Sequence, residues 1–196
     1  MKIVKLGLDL DNTLINYSEA ARIYARQNNI EAISTLANLR NVLRTKSDLE
    51  WQKAQAWLYS YGLEFATPVE GWSDFLIELK YFNLDIYLIS HKTKFTPKST
   101  GKIEIREYAM KWLEEVLKVK EIPQIQGVYF ESTRKKKIAR INSLGLNCFV
   151  DDLQEVLDNP NFPIGVRKVL FGAKSSNTSI KSIKSFNTLM RVVLSD

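Results

Sequence analysis

Short apolar runs recur along the chain, and several end on a polar residue. IVKLGLD (3–9), LDIYLIS (84–90) and NCFVD (147–151) are the densest of them. Runs that short, apolar at successive positions, fit strands buried on both faces of a parallel sheet. GVYFE (127–131) and KVLFG (168–172) read as two more strands. Between them the apolar spacing becomes helical over about 69–82, 104–119 and 133–144, with one or two turns at 152–158 and a closing helix in SFNTLMRVVL. Strands alternating with helices predict an α/β fold, a Rossmann-like parallel sheet with helices on both faces.

The stretch from Tyr17 to about Leu63 is helical in pattern throughout. Ala20, Ile23, Tyr24 and Gln27 share one helix face. Ser47, with Glu50 three residues later, reads as an N-cap. Trp51, Ala54, Trp57 and Leu58 then stack at helical spacing up to Gly62, a stripe that reads as packing. Pro68 breaks the chain, and residues 91–103, with Pro97 and Gly101, form a polar loop.

Composition narrows the class. At 196 residues, 45% hydrophobic and 26% charged, the chain suits a single globular core with at most an insertion. No apolar run approaches the roughly 20 residues that span a bilayer, so no membrane role is expected. No signal-peptide pattern is legible at the N-terminus. The lone cysteine, Cys148, lies among apolar residues and reads as a buried structural thiol in a cytoplasmic protein. The net charge of +6 concentrates in HKTKFTPKSTGK (91–102) and RKKK (134–137). With no nucleic-acid motif beside it, this charge favours a solvated surface that steers small anions, and leaves nucleic acid the second candidate.

In parallel sheets ligands bind at the carboxyl ends of the strands. Asp9, Ser90 and Asp151 each close an apolar strand run. Asp9 and Asp11 stand two apart, and close carboxylates repel unless a cation or a proton compensates.

The pieces LDLDNTL (8–14), IYLIS (86–90), a lysine within RKKKIARI (134–141) and CFVDD (148–152) resemble, in this order, the haloacid dehalogenase superfamily, whose members are mostly magnesium-dependent phosphohydrolases. The resemblance covers about residues 3–172. It implies a nucleophilic Asp9 that forms an aspartyl-phosphate, and Asp11 as general acid and base. The family's carbon–halogen dehalogenases usually lack an aspartate at that second position. It further implies Thr13 as a loop-holding residue, Ser90 as a donor to a phosphoryl oxygen, and Mg²⁺ bound by Asp9, the Asp11 carbonyl, Asp151 and Asp152.

The same resemblance calls for one lysine beside the phosphate. Lys135, Lys136 and Lys137 point about 100° apart on a helix. Lys137, which precedes Ile138 and Ile141, is the first choice and Lys136 the second. His91, next to Ser90, joins the phosphate-contact candidates. Asp152 has the alternative of capping the helix after it. The family's substrate-selecting cap corresponds here to a helical insertion at 15–67, within a core formed by 1–14 and 68–196. Arg22, Arg26, Arg40 and Arg44 lie in that insertion. The expected activity is hydrolysis of a small phosphorylated metabolite, with a sugar phosphate as one candidate. The alternatives are a nucleotidase or polynucleotide phosphatase, and a non-catalytic binding module.

Overall fold

The computed structural model describes residues 3–194. In chain order its strands are β1 (Val4–Leu8), β2 (Ile15–Asn16), β3 (Thr67–Pro68), β4 (Leu84–His91), β5 (Ile125–Glu131), β6 (Cys148–Asp151), β7 (Arg167–Phe171) and β8 (Lys181–Ile183). The helices are α1 (Ser18–Gln27), α2 (Leu36–Lys46), α3 (Asp48–Leu58), α4 (Trp72–Leu79), α5 (Ile105–Glu115), α6 (Arg134–Ser143), α7 (Gln154–Leu157) and α8 (Leu189–Leu194). The chain divides into two compact units. The first takes the chain through Ile15, Pro68–His91 and everything from Lys120 on; the second takes Asn16–Thr67 and Lys92–Val119.

The first unit is built on a six-stranded sheet in the order β5-β4-β1-β6-β7-β8, and every pairing in it is parallel. Helices flank it. Successive strand residues face opposite sides, and β7 shows both. Leu170 joins a cluster with Ile141 of α6 and Val156 and Leu157 of α7. Phe171, one residue on, packs its ring 5.5 Å from Phe186, which also meets Phe75 and Trp72 of α4. The chain starts in the middle of the sheet at β1, builds outward through β4 and β5, then returns to β1's other side with β6. That reversal makes the carboxyl end of β1 the switch point where such sheets form a crevice.

Gly7 is fixed by this packing. A Cβ there would come within 2.4 Å of Leu146 Cδ1 and 2.5 Å of Phe149 Cδ2, so only glycine lets β1 run beside them. β8 has no counterpart among the predicted strands. It is three residues long, and only Ile183 of it is buried.

The second unit holds α1, α2, α3 and α5. The sequence places only 15–67 in the insertion, whereas 92–119 joins it here. The cause is α5, whose Trp112 indole donates to the Ala66 carbonyl and whose Tyr108 ring meets Tyr61 edge-on. Ser47 caps α3 as expected, accepting from the Glu50 amide at 3.2 Å. The helix stops at Leu58, four residues short of Gly62. Gly62 instead sits in a 3-10 turn under the Trp57 ring, where a Cβ would approach to 2.8 Å. The aromatic stripe is packing: Trp51 is buried, and Trp57 stacks on Phe65 and tilts against Tyr24. Gln27, assigned to the apolar face of α1, is exposed, and Ala21 takes its place in the interior.

Candidate active site

Register brings two acids together. Leu6 and Leu8 of β1 lie opposite Cys148 and Val150 of β6. The Asp9 amide extends that pairing by donating to the Val150 carbonyl at 2.9 Å. Asp9 and Asp151, each the next residue along its strand, therefore leave the sheet side by side, and both are buried. Ser90 stands near the end of β4, on the other side of β1.

After Asp9 the chain turns tightly. The Leu10 carbonyl accepts from the amides of Thr13, Leu14 and Ile15, and the Asn12 amide donates to the Ile15 carbonyl at 3.0 Å. Asn12 has φ +60°, a left-handed conformation that asparagine tolerates better than most residues. Buried Leu10 and Leu14 anchor the turn, and Asp11 remains half-buried on it.

Helix α6 supplies the cation. Thr133 caps it by accepting from the Lys136 amide at 3.1 Å. Ile138 and Ile141 fix its buried face, and Lys137 falls on the same face. The Lys137 ammonium donates to Asp9 Oδ1 at 2.5 Å and to Asp151 Oδ2 at 2.6 Å. It also lies 5.3 Å from the centroid of the Phe149 ring, a neighbour that sequence reading did not single out. Lys135 and Lys136 are exposed and stay outside the cluster, so of the two lysine candidates Lys137 alone reaches the acids.

A third carboxylate completes the group. Asp9, Asp151 and Asp152 can each offer an oxygen within 4.8 Å of the others. The Asp11 carboxylate is not among them. Asp152 does not cap α7, whose N-cap is Leu153 with no side-chain cap; its Oδ2 accepts from Asn12 Nδ2 at 3.2 Å. The Leu153 amide donates instead to Asp151 Oδ1 at 2.9 Å.

The electrostatics reflect three acids sharing one lysine. Burial pushes the Asp9 carboxyl up to about 7; Lys137 draws it down, and Asp151 and Asp11 push it up again. Asp152 is raised well above its ordinary value by burial and by its two acidic neighbours. For Lys137 burial disfavours the charge, but Asp151 and Asp9 overcome it and hold the ammonium above its ordinary value. His91, at the end of β4, keeps much of its surface exposed, yet partial desolvation of its ring lowers its pKa, and the Lys137 charge lowers it further. The donor set fits Mg²⁺: three hard carboxylates, incompletely neutralised by one ammonium.

Two hydroxyls are left over. Ser90 Oγ and Thr13 Oγ1 are buried and have no hydrogen-bond partner among the described residues. An unpaired buried hydroxyl is costly, so each calls for a partner brought by a ligand or water. Together the residues of the first unit can present a carboxylate nucleophile, a fixed cation and a free hydroxyl donor at one sheet edge. Arg22, Arg26, Arg40 and Arg44 are all exposed in the second unit.

Neither a family model nor a curated protein matches the sequence. Solved structures do match. A putative phosphatase from Clostridium difficile has a TM-score of 0.61 at 14% identity, over 99% of this chain and 100% of its own. A HAD-superfamily hydrolase of subfamily IA from Geobacter sulfurreducens has a TM-score of 0.60 at 14% identity, over 97% of this chain and 96% of its own. A phosphoserine phosphatase, solved as a phospho-aspartyl intermediate analogue, has a TM-score of 0.53 at 14% identity, over 98% of this chain and 99% of its own. The chain therefore has the haloacid dehalogenase-like fold.

Proposed function

We propose that the chain is a Mg²⁺-dependent phosphohydrolase that cleaves a small phosphorylated metabolite through an aspartyl-phosphate on Asp9. The observation that carries this reading is the Lys137 ammonium bridging Asp9 and Asp151, beside a third acid and an unpaired Ser90 hydroxyl. The fold neighbours that are phosphatases add to it.

An Asp9 carboxylate oxygen attacks phosphorus, and the bond from phosphorus to the ester oxygen breaks. Asp11 gives its proton to the departing oxygen. In the second half Asp11 takes a proton from water, the hydroxide attacks phosphorus, and the bond to Asp9 breaks to release inorganic phosphate. Ser90 donates to a non-bridging oxygen, and Lys137 balances the charge shared by phosphate and Asp9. Thr13 joins the turn through its amide, which donates to the Leu10 carbonyl at 3.2 Å, and His91 stands next to Ser90 to meet the phosphate or its substituent.

Asp9, Asp151, Asp152 and the Asp11 carbonyl would hold Mg²⁺, which when bound neutralises the clustered acids and the phosphate. Asp9 needs such a cation. Burial raises its carboxyl to about 7, and a cation beside it would favour the ionised form that a nucleophile needs. Asp11 favours phosphate esters over carbon–halogen bonds, whose cleavage needs no such acid. The helical second unit would select the substrate as an inserted cap does, and sugar phosphates head the panel. Among the described residues no helix is long and apolar enough to cross a membrane, and a reducing cytoplasm suits the buried free Cys148.

A polynucleotide phosphatase is the second reading. It rests on Phe95, which is 39% exposed with Lys94 and Lys102 each 5.3 Å from its ring centroid, a pairing of aromatic and cation that suits a nucleotide.

The test is release of phosphate from p-nitrophenyl phosphate, sugar phosphates and a 5′-phosphorylated oligonucleotide, with Mg²⁺ and with EDTA, beside Asp9→Asn. Release that needs Mg²⁺ and falls by roughly three orders of magnitude in the variant supports the reading. Release that persists in a folded Asp9→Asn protein removes it.

A further inference from the structure

We infer that Asn12 is a positioning residue for the cation, holding the Asp152 carboxylate in its cluster with Asp9 and Asp151. The inference rests on the Mg²⁺ reading above.

Two properties of Asn12 are separable. Its backbone is left-handed, at φ +60°, and its amide closes the turn onto Ile15. Glycine would serve that need equally well. Its side chain does something glycine cannot. Nδ2 donates to Asp152 Oδ2 at 3.2 Å, tying the turn after β1 to the segment after β6, 140 residues away.

The three acids are not held alike. Asp151 is fixed twice, by Lys137 on one oxygen and the Leu153 amide on the other. Asp9 is fixed by Lys137. Asp152 caps no helix, and the hydrogen bond that orients it comes from Asn12. Beside two other carboxylates it would otherwise swing away, because like charges repel. A second lysine there would orient it too, but would also cancel the charge that draws in a cation. A neutral amide orients the carboxylate, leaves its charge intact and leaves Oδ1 free. Such outer partners of metal ligands typically change metal affinity about 10- to 100-fold when removed.

The test is a double-mutant cycle on Mg²⁺ affinity, read by titration calorimetry without substrate, on wild type, Asn12→Gly, Asp152→Asn and the double variant. Asn12→Gly keeps the left-handed turn and deletes only the amide, so the metal-free protein should unfold near the wild-type midpoint. The expected result is Mg²⁺ binding about tenfold weaker in Asn12→Gly, with less than about a twofold further loss when the same change is made in Asp152→Asn. Wild-type affinity in Asn12→Gly overturns the inference, and so does an equal loss in both backgrounds, which would locate the effect in the backbone. If wild type binds Mg²⁺ and Asn12→Gly binds equally well, only the inference fails. If wild type binds no Mg²⁺, the functional reading fails first.

Discussion

Lys137 Nζ lies 2.5 Å from Asp9 Oδ1, although 128 residues separate them in the chain. The contact joins the end of β1, inside the sheet, to the start of α6, the helix that follows β5. Its second arm reaches Asp151, so one ammonium holds two buried acids that would otherwise repel.

Replacing Lys137 should therefore be costly in two ways. Lys137→Ala leaves two buried carboxylates without their cation, a change typically worth about 3–5 kcal/mol. Lys136→Ala removes an exposed side chain and should stay within about 0.5 kcal/mol of wild type. Urea unfolding and phosphate-release assays on both variants check this. A larger loss of activity in Lys136→Ala would move the phosphate-side lysine one position along the helix.

The raised Asp9 carboxyl makes metal-free stability depend on pH. Its folded value of about 7 exceeds the 3.8 of an ordinary aspartate, so between those values the folded state binds the extra proton. The contribution is fully present below about 4 and is lost as pH rises toward about 7. Asp152 shifts in the same direction. Chelated protein should thus lose stability from pH 4.5 to pH 7.5 (about three pH units, spanning the titration). Mg²⁺ should raise the melting midpoint more at the upper end, where the acids are ionised. Thermal unfolding with EDTA and with Mg²⁺ at both pH values measures this, and an equal Mg²⁺ effect at both would contradict it.

The cysteine prediction is simpler. Burial pushes the Cys148 thiol up to about 12, and only the thiolate reacts readily. Folded protein at pH 8 (about four units below that value) should resist a disulfide reagent such as Ellman's. One equivalent should react once urea unfolds the chain. Fast labelling of the folded protein would show that the thiol is accessible.

Much of this arrangement was legible before the fold was known. Asp9, Ser90 and Asp151 announced themselves because each ends a buried strand, and a parallel sheet gathers such ends. Lys137 was legible through the resemblance, since the arrangement it makes with Ile138 and Ile141 is similar to that of many family members; its place on the buried face of α6 gives the physical reason. What stayed hidden depends on contacts distant in sequence. The Asn12–Asp152 hydrogen bond joins two loops, and no local pattern signals it. Residues 92–119 read as part of the sheet-bearing unit because they follow β4 directly. Their place in the second unit depends on Trp112 meeting Ala66. β8 was missed because Lys181 and Ser182 are exposed and a single buried Ile183 makes no alternation. The need for glycine at position 7 has no local signal either, because it comes from Leu146 and Phe149, which are far away in sequence.

The central claim is that phosphorus passes through a covalent bond to Asp9. Protein quenched during turnover of p-nitrophenyl phosphate can be treated with borohydride, which reduces an acyl phosphate to the alcohol and turns its aspartate into homoserine. Peptide mass spectrometry then locates the change. The account predicts homoserine in place of Asp9, and none in protein treated without substrate. Homoserine at Asp11, Asp151 or Asp152, or none at any of them while phosphate is being released, would contradict it.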